Sequence, residues 1–326
     1  MSHDEELMAR AVVVASRARL VAPPNPWVGA LVVENGTVVA EGATQAPGHS
    51  HAEVEALALA GERARGATLV VTLEPCDHVG RTGACTEAIL AAGVARVVVG
   101  IVDPDEKVAG RGIAHLRDAG LEVSVGVGAV LVTEQLAPYL WHRRTGRPYV
   151  VAKVAATLDG VTAMADGTSQ WITGEAARAD AHELRAQSQA IIVGATTVRL
   201  DDPRLTARVN DRVLEPLRVV LGEAPPRARV RPCLEYTGDL GDLLDDLGAR
   251  GVLQVLVEGG AAVTSSFIEA GLVNRLAWYV APAVAGARGT RAALTNLSTP
   301  TIGALRRGRV VGVRRIGEDV RLDVEV

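Results

Sequence analysis

Lysine is nearly missing from this sequence: of 34 cationic residues only Lys107 and Lys153 are lysine, and arginine supplies the rest. A lysine kept in such a chain points to a use for its compact amine, which a planar guanidinium does not replace. Aromatic residues are scarce too, at 3% of a chain that is 48% hydrophobic, so valine, leucine and alanine must build the core. Three cysteines are too few for a disulfide framework. They suit a reducing compartment, where thiols stay available to metal. No apolar run approaches the ~20 residues that cross a bilayer. The start, Met1-Ser2-His3-Asp4-Glu5-Glu6, lacks the basic and apolar segments of a secretory signal. The expected location is therefore cytoplasmic, with no membrane partner. A basic surplus is also missing. The net charge is −4, and division at Arg147 leaves most of the acidic excess in the first part, so no strongly basic half is concealed. That argues against a nucleic-acid partner.

What is present is an alternation of strand and helix patterns. At 326 residues two domains are favoured over one. His3–Val21 carries apolar residues at helical spacing and Pro23-Pro24-Asn25-Pro26 stops it. Val28–Glu34 and Thr37–Gly42 form a hairpin across Asn35-Gly36. His51–Glu62, Cys85–Ala92, Ile113–Ala119 and Gln135–Trp141 read as helices. Ala67–Leu73, Val94–Val102 and Leu121–Val125 read as strands. The polar, basic stretch His142–Pro148 then reads as a linker, which gives domains over 1–147 and 148–326. The second restarts with a strand at Tyr149–Thr157. It continues through strands at 190–194, 217–221, 252–257 and 275–280, and helices at 176–186, 240–248 and 262–270. Arg309–Ile316 and Val320–Val326 resemble a closing antiparallel pair, a pattern that suits a homodimer face or an ordinary core. Both domains are α/β.

His51, Cys76 and Cys85 offer one nitrogen and two sulfurs, with the carboxylate of Glu53 two residues from the histidine. A catalytic zinc takes three protein ligands and leaves one position for water. The predicted helix starts at His51 and Cys85 favour the thiolate form that binds metal. Glu53, as a non-ligand, can shuttle protons between the activated water and a leaving amine. The pattern matches the His-x-Glu…Pro-Cys-x-x-Cys signature of zinc deaminases, except that eight residues, Asp77 to Ala84, separate the cysteines. Their His, Arg, Thr and Gly suit a phosphate pocket, and so a phosphorylated small-molecule substrate. His49 reads as an exposed loop residue and Cys233 as an incidental thiol. A zinc-stabilised module without catalysis, or an editor of nucleic-acid bases, fits these features less well.

The second half has no Gly-x-Gly-x-x-Gly after a strand, so a Rossmann dinucleotide site is not indicated. Glu258-Gly259-Gly260-Ala261-Ala262 instead leads from a strand into a helix, where free N–H groups and the helix dipole favour a phosphate. Lys153, inside an apolar strand, reads either as a snorkelling edge residue or as a specific partner, for instance of a sugar hydroxyl. Trp171 reads as core or as a face for a ring. Arg185 and Asp201 could form a plain ion pair.

These motifs, with Pro24-Asn25-Pro26-Trp27-Val28-Gly29, Thr72-Leu73-Glu74-Pro75-Cys76, Asp103-Pro104, Val108–Gly112, Thr157-Leu158-Asp159-Gly160, Ser169–Thr173, Leu184-Arg185-Ala186 and Asp201-Asp202-Pro203, resemble the bifunctional deaminase–reductases of bacterial riboflavin biosynthesis. The resemblance runs nearly the whole length, in order. It implies a cytidine-deaminase-like α/β/α domain followed by a dihydrofolate-reductase-like α/β domain. The first would deaminate a phosphoribosylated diaminopyrimidinone with one Zn2+ per chain. The second would reduce the ribosyl group to ribityl with NADPH. By the same resemblance Glu53 is the proton shuttle, and His51, Cys76 and Cys85 are the zinc ligands. Asn25, His78, Arg81 and Thr82 hold the deaminase substrate, and Lys153, Ser169, Arg185, Leu205, Arg208 and Glu258 the reductase substrate. Ala155, Trp171, Thr197, Asp201, Gly260, Ala261 and Ala262 line the cofactor. A deaminase with a degenerate, non-reducing second domain is the alternative.

Overall fold

The computed structural model describes residues 2–78, 83–286 and 288–326, and the chain divides into two compact units, Met1–Gly146 and Arg147–Val326. In the first unit, α1 (His3–Ser16), β1 (Gly29–Glu34), β2 (Thr37–Ala43), α2 (Ala52–Ala60), β3 (Thr68–Leu73), α3 (Cys85–Ala92), β4 (Arg96–Ile101), α4 (Arg111–Asp118), β5 (Glu122–Val125), α5 (Ala129–Gln135) and α6 (Ala137–Thr145) follow one another. Among the described residues the sheet order is β2-β1-β3-β4-β5. The β1–β2 hairpin turns on Asn35 and Gly36, both at positive φ (50° and 77°), as a tight hairpin turn requires.

Helices cover both faces of this sheet, and two glycines show why they can. A Cβ on Gly29 would lie 2.1 Å from the Ala11 carbonyl of α1, and one on Gly42 would lie 2.2 Å from the Ala52 carbonyl of α2. Gly29 pairs with Ala43 and Gly42 with Ala30, so the two glycines face opposite sides of the pleat. The α1 helix is shorter than its apolar spacing predicts. After Ser16 the N–H groups of Arg17, Ala18 and Arg19 bond to carbonyls three residues back, which tightens the chain while Ala18 and Ala22 stay buried. Trp27, 1% exposed, anchors the following segment. Its ring lies 3.6 Å from the Arg19 guanidinium carbon, and its indole donates to the Gln135 carbonyl at 3.0 Å.

The linker expected over His142–Pro148 is a correction: His142–Thr145 form the last turn of α6, ended by Gly146 in the left-handed region. Basic residues there complement the negative end of the helix. Tyr139 docks α6, its hydroxyl donating to both carboxylate oxygens of Asp103 at 3.2 and 3.1 Å. Burial pushes the Asp103 carboxyl up to about 6.

The second unit runs β6 (Tyr149–Thr157), β7 (Val161–Ala163), α7 (Glu175–Ala186), β8 (Ala190–Gly194), α8 (Ala195–Asp201), β9 (Ala207–Val209), β10 (Arg212–Leu214), β11 (Leu217–Leu221), β12 (Leu234–Tyr236), α9 (Leu240–Ala249), β13 (Gln254–Val257), α10 (Ala261–Glu269), β14 (Arg275–Ala281), β15 (Arg291–Ala292), β16 (Arg309–Ile316) and β17 (Asp319–Glu325). Its large sheet is ordered β12-β11-β8-β13-β6-β14-β17-β16 among the described residues. It is parallel from β12 to β14 and antiparallel in its last two pairings, β14 with β17 and β17 with β16. Val150, Ile192, Val219, Val255 and Val257 meet Leu243, Leu247 and Phe267 of α9 and α10 in the core. Helix α8 escaped the sequence reading because Thr196, Thr197 and Val198 are β-branched and favour strands.

Two stability outcomes follow. Gly42→Ala must lift α2 from the sheet, and urea unfolding is expected to show a loss of roughly 2 kcal/mol; a wild-type midpoint would mean that α2 moves freely. For Asp103 the folded pKa (about 6) exceeds the usual 3.8, so burial disfavours its charged form. Its contribution to stability is therefore full below pH ~4 and lost as pH rises through ~6. Relative to Asp103→Asn, the wild type is expected to lose up to about 3 kcal/mol between pH 4 and pH 7. A pH-independent difference between the two proteins would contradict this.

Candidate active sites

Three loops converge at the first site. His51 is the N-cap of α2, Cys85 opens α3, and Cys76 follows the end of β3. Their donor atoms all lie within 4.8 Å of one another, and among the described residues this is the one such cluster. His51 Nδ1 is 3.2 Å from Cys85 Sγ and 3.6 Å from Cys76 Sγ. The two thiols share a hydrogen bond. It holds Cys76 low, with His51 adding to the effect, and pushes Cys85 up, with burial adding there. A divalent ion would displace that shared proton. One imidazole and two sulfurs at this spacing, two of them at helix N-termini, fit zinc with one position left open. Glu53, in the first turn of α2 and 3% exposed, is not one of the three. Burial is the main cause that raises its carboxyl to about 7.

The loop carrying Cys76 is held by its neighbours on both sides. Glu74, 4% exposed, accepts backbone N–H groups from Asp103 (3.2 Å), Gly110 (2.9 Å), Gly112 (3.0 Å) and Ile113 (3.3 Å). It thus caps α4 from a distant part of the chain. A Cβ on Gly112 would fall 1.9 Å from the Pro75 carbonyl, so only glycine allows this approach. On the other side Asp77 accepts from Thr86 Oγ1 at 2.6 Å and from His115 Nδ1 at 2.5 Å. The sequence reading gave roles to none of Glu74, Asp77 and His115. Glu74 and Gly112 lie within the motifs that carry the family resemblance, but their mutual role rests on contacts between distant parts of the chain.

A cavity of about 480 Å³ opens onto the cluster, and Asn25, His78 and Glu53 are among the residues that line it. Arg81 and Thr82 lie outside the described residues. His49 also lines this cavity, although it is exposed and takes no part in the ligand cluster. Asp103, Asp105, Lys107 and Arg143 complete the wall, and Arg143 Nε pairs with Asp105 at 3.1 Å.

In the second unit a cavity of about 1380 Å³ lies across the carboxyl ends of β11, β8 and β13 and along β6. Lys153, Ala155, Ser169, Trp171, Thr197, Asp201, Glu258, Gly260, Ala261 and Ala262 all line it. Lys153 is not an edge residue, since β6 is flanked by β13 and β14. Burial lowers its pKa, Glu258 opposes that, and Arg185 adds to it. Trp171 is 70% exposed rather than core, with the Arg178 guanidinium 4.8 Å from its ring.

Arg185, Leu205 and Arg208 do not line this cavity. Arg185 turns its fork onto Glu258, at 2.8 and 2.6 Å, so its partner is not Asp201. Burial raises the Glu258 carboxyl, but this guanidinium outweighs it and the net shift is downward. Leu205 is 3% exposed in the core, at φ 53°. Arg208 projects from β9 to solvent while its N–H donates to His182. At the glycine turn before α10, Gly260 is the N-cap, and free N–H groups at such a helix start favour an anion.

Comparison with known proteins covers both units. Residues 1–101 match the cytidine and deoxycytidylate deaminase zinc-binding region, and residues 148–322 match the RibD C-terminal domain. The riboflavin biosynthesis protein RibD of Escherichia coli is 38% identical over 98% of each chain. That of Mycobacterium tuberculosis H37Rv is 41% identical over 98% of this chain and 96% of its own. The solved structure of Acinetobacter baumannii RibD superposes with a TM-score of 0.91 at 37% identity, covering 99% and 98% of the two chains. A diaminohydroxyphosphoribosylaminopyrimidine deaminase/5-amino-6-(5-phosphoribosylamino)uracil reductase from Thermotoga maritima gives 0.89 at 32% identity, with coverage of 99% and 98%. With both domains matched and the full length aligned, this chain belongs to the RibD family, the bifunctional deaminase–reductases of riboflavin biosynthesis.

Proposed function

We propose that residues 1–147 hydrolytically deaminate 2,5-diamino-6-(5-phosphoribosylamino)pyrimidin-4(3H)-one. Residues 148–326 then reduce the ribosyl group with NADPH to give 5-amino-6-(5-phosphoribitylamino)uracil. The observation that carries the first half is the grouping of His51, Cys76 and Cys85 around a buried, non-ligand Glu53. In this reading those three hold one zinc, which when bound lowers the pKa of a water and so supplies a nucleophile near neutral pH. Glu53, raised to about 7 by burial, exchanges protons readily in that range. It takes one from the attacking water and returns it to the departing ammonia. Asn25 and His78 line the cavity and orient the pyrimidine, with Arg81 and Thr82 assigned to the substrate phosphate.

In the second half NADPH supplies the hydride when bound. The turn at Gly260–Ala262 receives its phosphates, and Ala155, Trp171, Thr197 and Asp201 line its course. Lys153 and Ser169 face the substrate sugar. Glu258, fixed by Arg185, keeps an anion near the Lys153 amine and so favours its charged form. Arg185, Leu205 and Arg208 act from behind or beside the cavity. Holding donor and acceptor carbons together is the main task, since hydride transfer needs no covalent nucleophile. The same reading makes the protein a cytoplasmic enzyme of small phosphorylated pyrimidines. It also makes it a homodimer, joined through β16 where Val310 and Val313 are exposed. Among the described residues no helix is long and apolar enough to cross a membrane.

A coupled assay that follows ammonia release and NADPH absorbance separately tests both halves. Glu53→Ala is expected to lower deamination by at least about a hundredfold while the protein still carries one zinc; loss of the metal in that variant would contradict the assignment. Lys153→Ala is expected to impair reduction alone, and equal loss of both activities would indicate misfolding instead.

A further inference from the structure

A dinucleotide that carries a phosphate on its adenosine ribose needs a cation at that end to be told from one that does not. Among the described residues, the cations lining the second cavity are Lys153, Arg178, Arg199 and Arg291. Three of them stand on the β6 side. Lys153 is on β6 itself. Arg291 lies on β15, which pairs with β7 just after β6. Arg178 lies on α7, where its guanidinium donates to the Thr173 carbonyl at 2.9 Å and stacks on Trp171. Helix α7 packs against β9 and β16. Arg199 alone stands on α8, which packs on β8 and β11, beyond the glycine turn that follows β13.

We infer that Arg199, with the hydroxyl of Thr196, binds the 2′-phosphate of NADPH and sets the preference for the phosphorylated cofactor. This rests on the reductase reading above. With the pyrophosphate at the turn before α10 and the nicotinamide near Lys153, the adenosine must extend over β8 and β11. At that end the Arg199 Nη2 donates to Thr196 Oγ1 at 3.0 Å, and both residues line the cavity. The rest of the guanidinium fork is left to face a phosphate, for which its planar geometry is suited. Glu223, following β11, lines the same end. An acid there would accept a hydrogen bond from an unphosphorylated ribose and repel a phosphate, so the two residues pull cofactor choice in opposite directions.

Calorimetric titration of the full-length chain with 2′,5′-ADP and with 5′-AMP separates the phosphate contact from the rest of the nucleotide. Arg199→Ala is expected to weaken 2′,5′-ADP at least about tenfold, the scale of a charge-assisted hydrogen bond, and to leave 5′-AMP within about twofold. The ratio of kcat/KM for NADPH over NADH should fall by a similar factor, and Glu223→Ala should raise it. Arg178→Ala and Arg291→Ala should keep the wild-type ratio of the two nucleotide affinities. Unchanged 2′,5′-ADP binding in Arg199→Ala, or its loss in Arg178→Ala or Arg291→Ala instead, would overturn the assignment while wild-type NADPH oxidation left the reductase reading intact. A wild-type chain that releases ammonia but neither oxidises NADPH nor binds 2′,5′-ADP would overturn both.

Discussion

A single buried carboxylate organises the deaminase half. Glu74 sits at the end of β3, and four backbone N–H groups from the 103–113 segment point at it. Two of these donors belong to the first turn of α4, whose N–H groups have no partner within the helix. The favourable charge–dipole contact there joins two parts of the chain that are far apart in sequence. Everything nearby inherits that position. Pro75 and Cys76 follow immediately, so the sulfur that would bind zinc is placed by a contact two residues before it. The segment held by Glu74 then supplies Asp103, Asp105 and Lys107 to the cavity wall. Gly112 is the condition for all of this, because a side chain there would collide with the Pro75 carbonyl.

The reductase half solves a similar problem with an ion pair. Glu258 stands at the mouth of the cavity with only 8% of its side chain exposed, a costly place for an anion without a partner. Arg185 meets it with both arms of the fork. That geometry fixes the carboxylate near the compact amine of Lys153, which lines the same cavity. In both halves, therefore, a buried anion is held by hydrogen bonds from a distant part of the chain, and the groups that would meet substrate are arranged around it.

Much of this was legible in the sequence. The alternation of strand and helix gave the α/β class, and residue type and spacing singled out His51, Cys76 and Cys85, which the fold brings together. His51 and Cys85 stand at helix starts, a local feature, whereas Cys76 follows the end of β3 and takes its place from the Glu74 contact. What escaped was set by contacts across the fold. Nothing local distinguishes Arg185 as the partner of Glu258 rather than of Asp201, because 73 residues separate the pair. Glu74 reads as one more acid until its donors are seen. The β-branched start of α8 reads as a strand, and tertiary packing on β8 and β11 overrides that preference. The stretch from His142 looks like a linker because it is basic, yet those charges suit the end of a helix.

The shortage of lysine acquires a physical meaning from these positions. Many of the arginines are committed to fixed geometry: Arg185 on Glu258, Arg143 on Asp105, Arg321 on Asp180 and Asp323, Arg96 on Asp4. A guanidinium suits such work, since its planar fork meets two acceptors at once and stays charged when buried. Both lysines, in contrast, line cavities: Lys107 the one above the zinc ligands, Lys153 the one across the second sheet. An ammonium on a flexible stem can follow a ligand that arrives, changes charge and leaves, and its pKa responds to burial where that of arginine barely does. The division of labour follows from the chemistry of the two groups. Most of the arginines named above hold the framework, while both lysines stand on cavity walls.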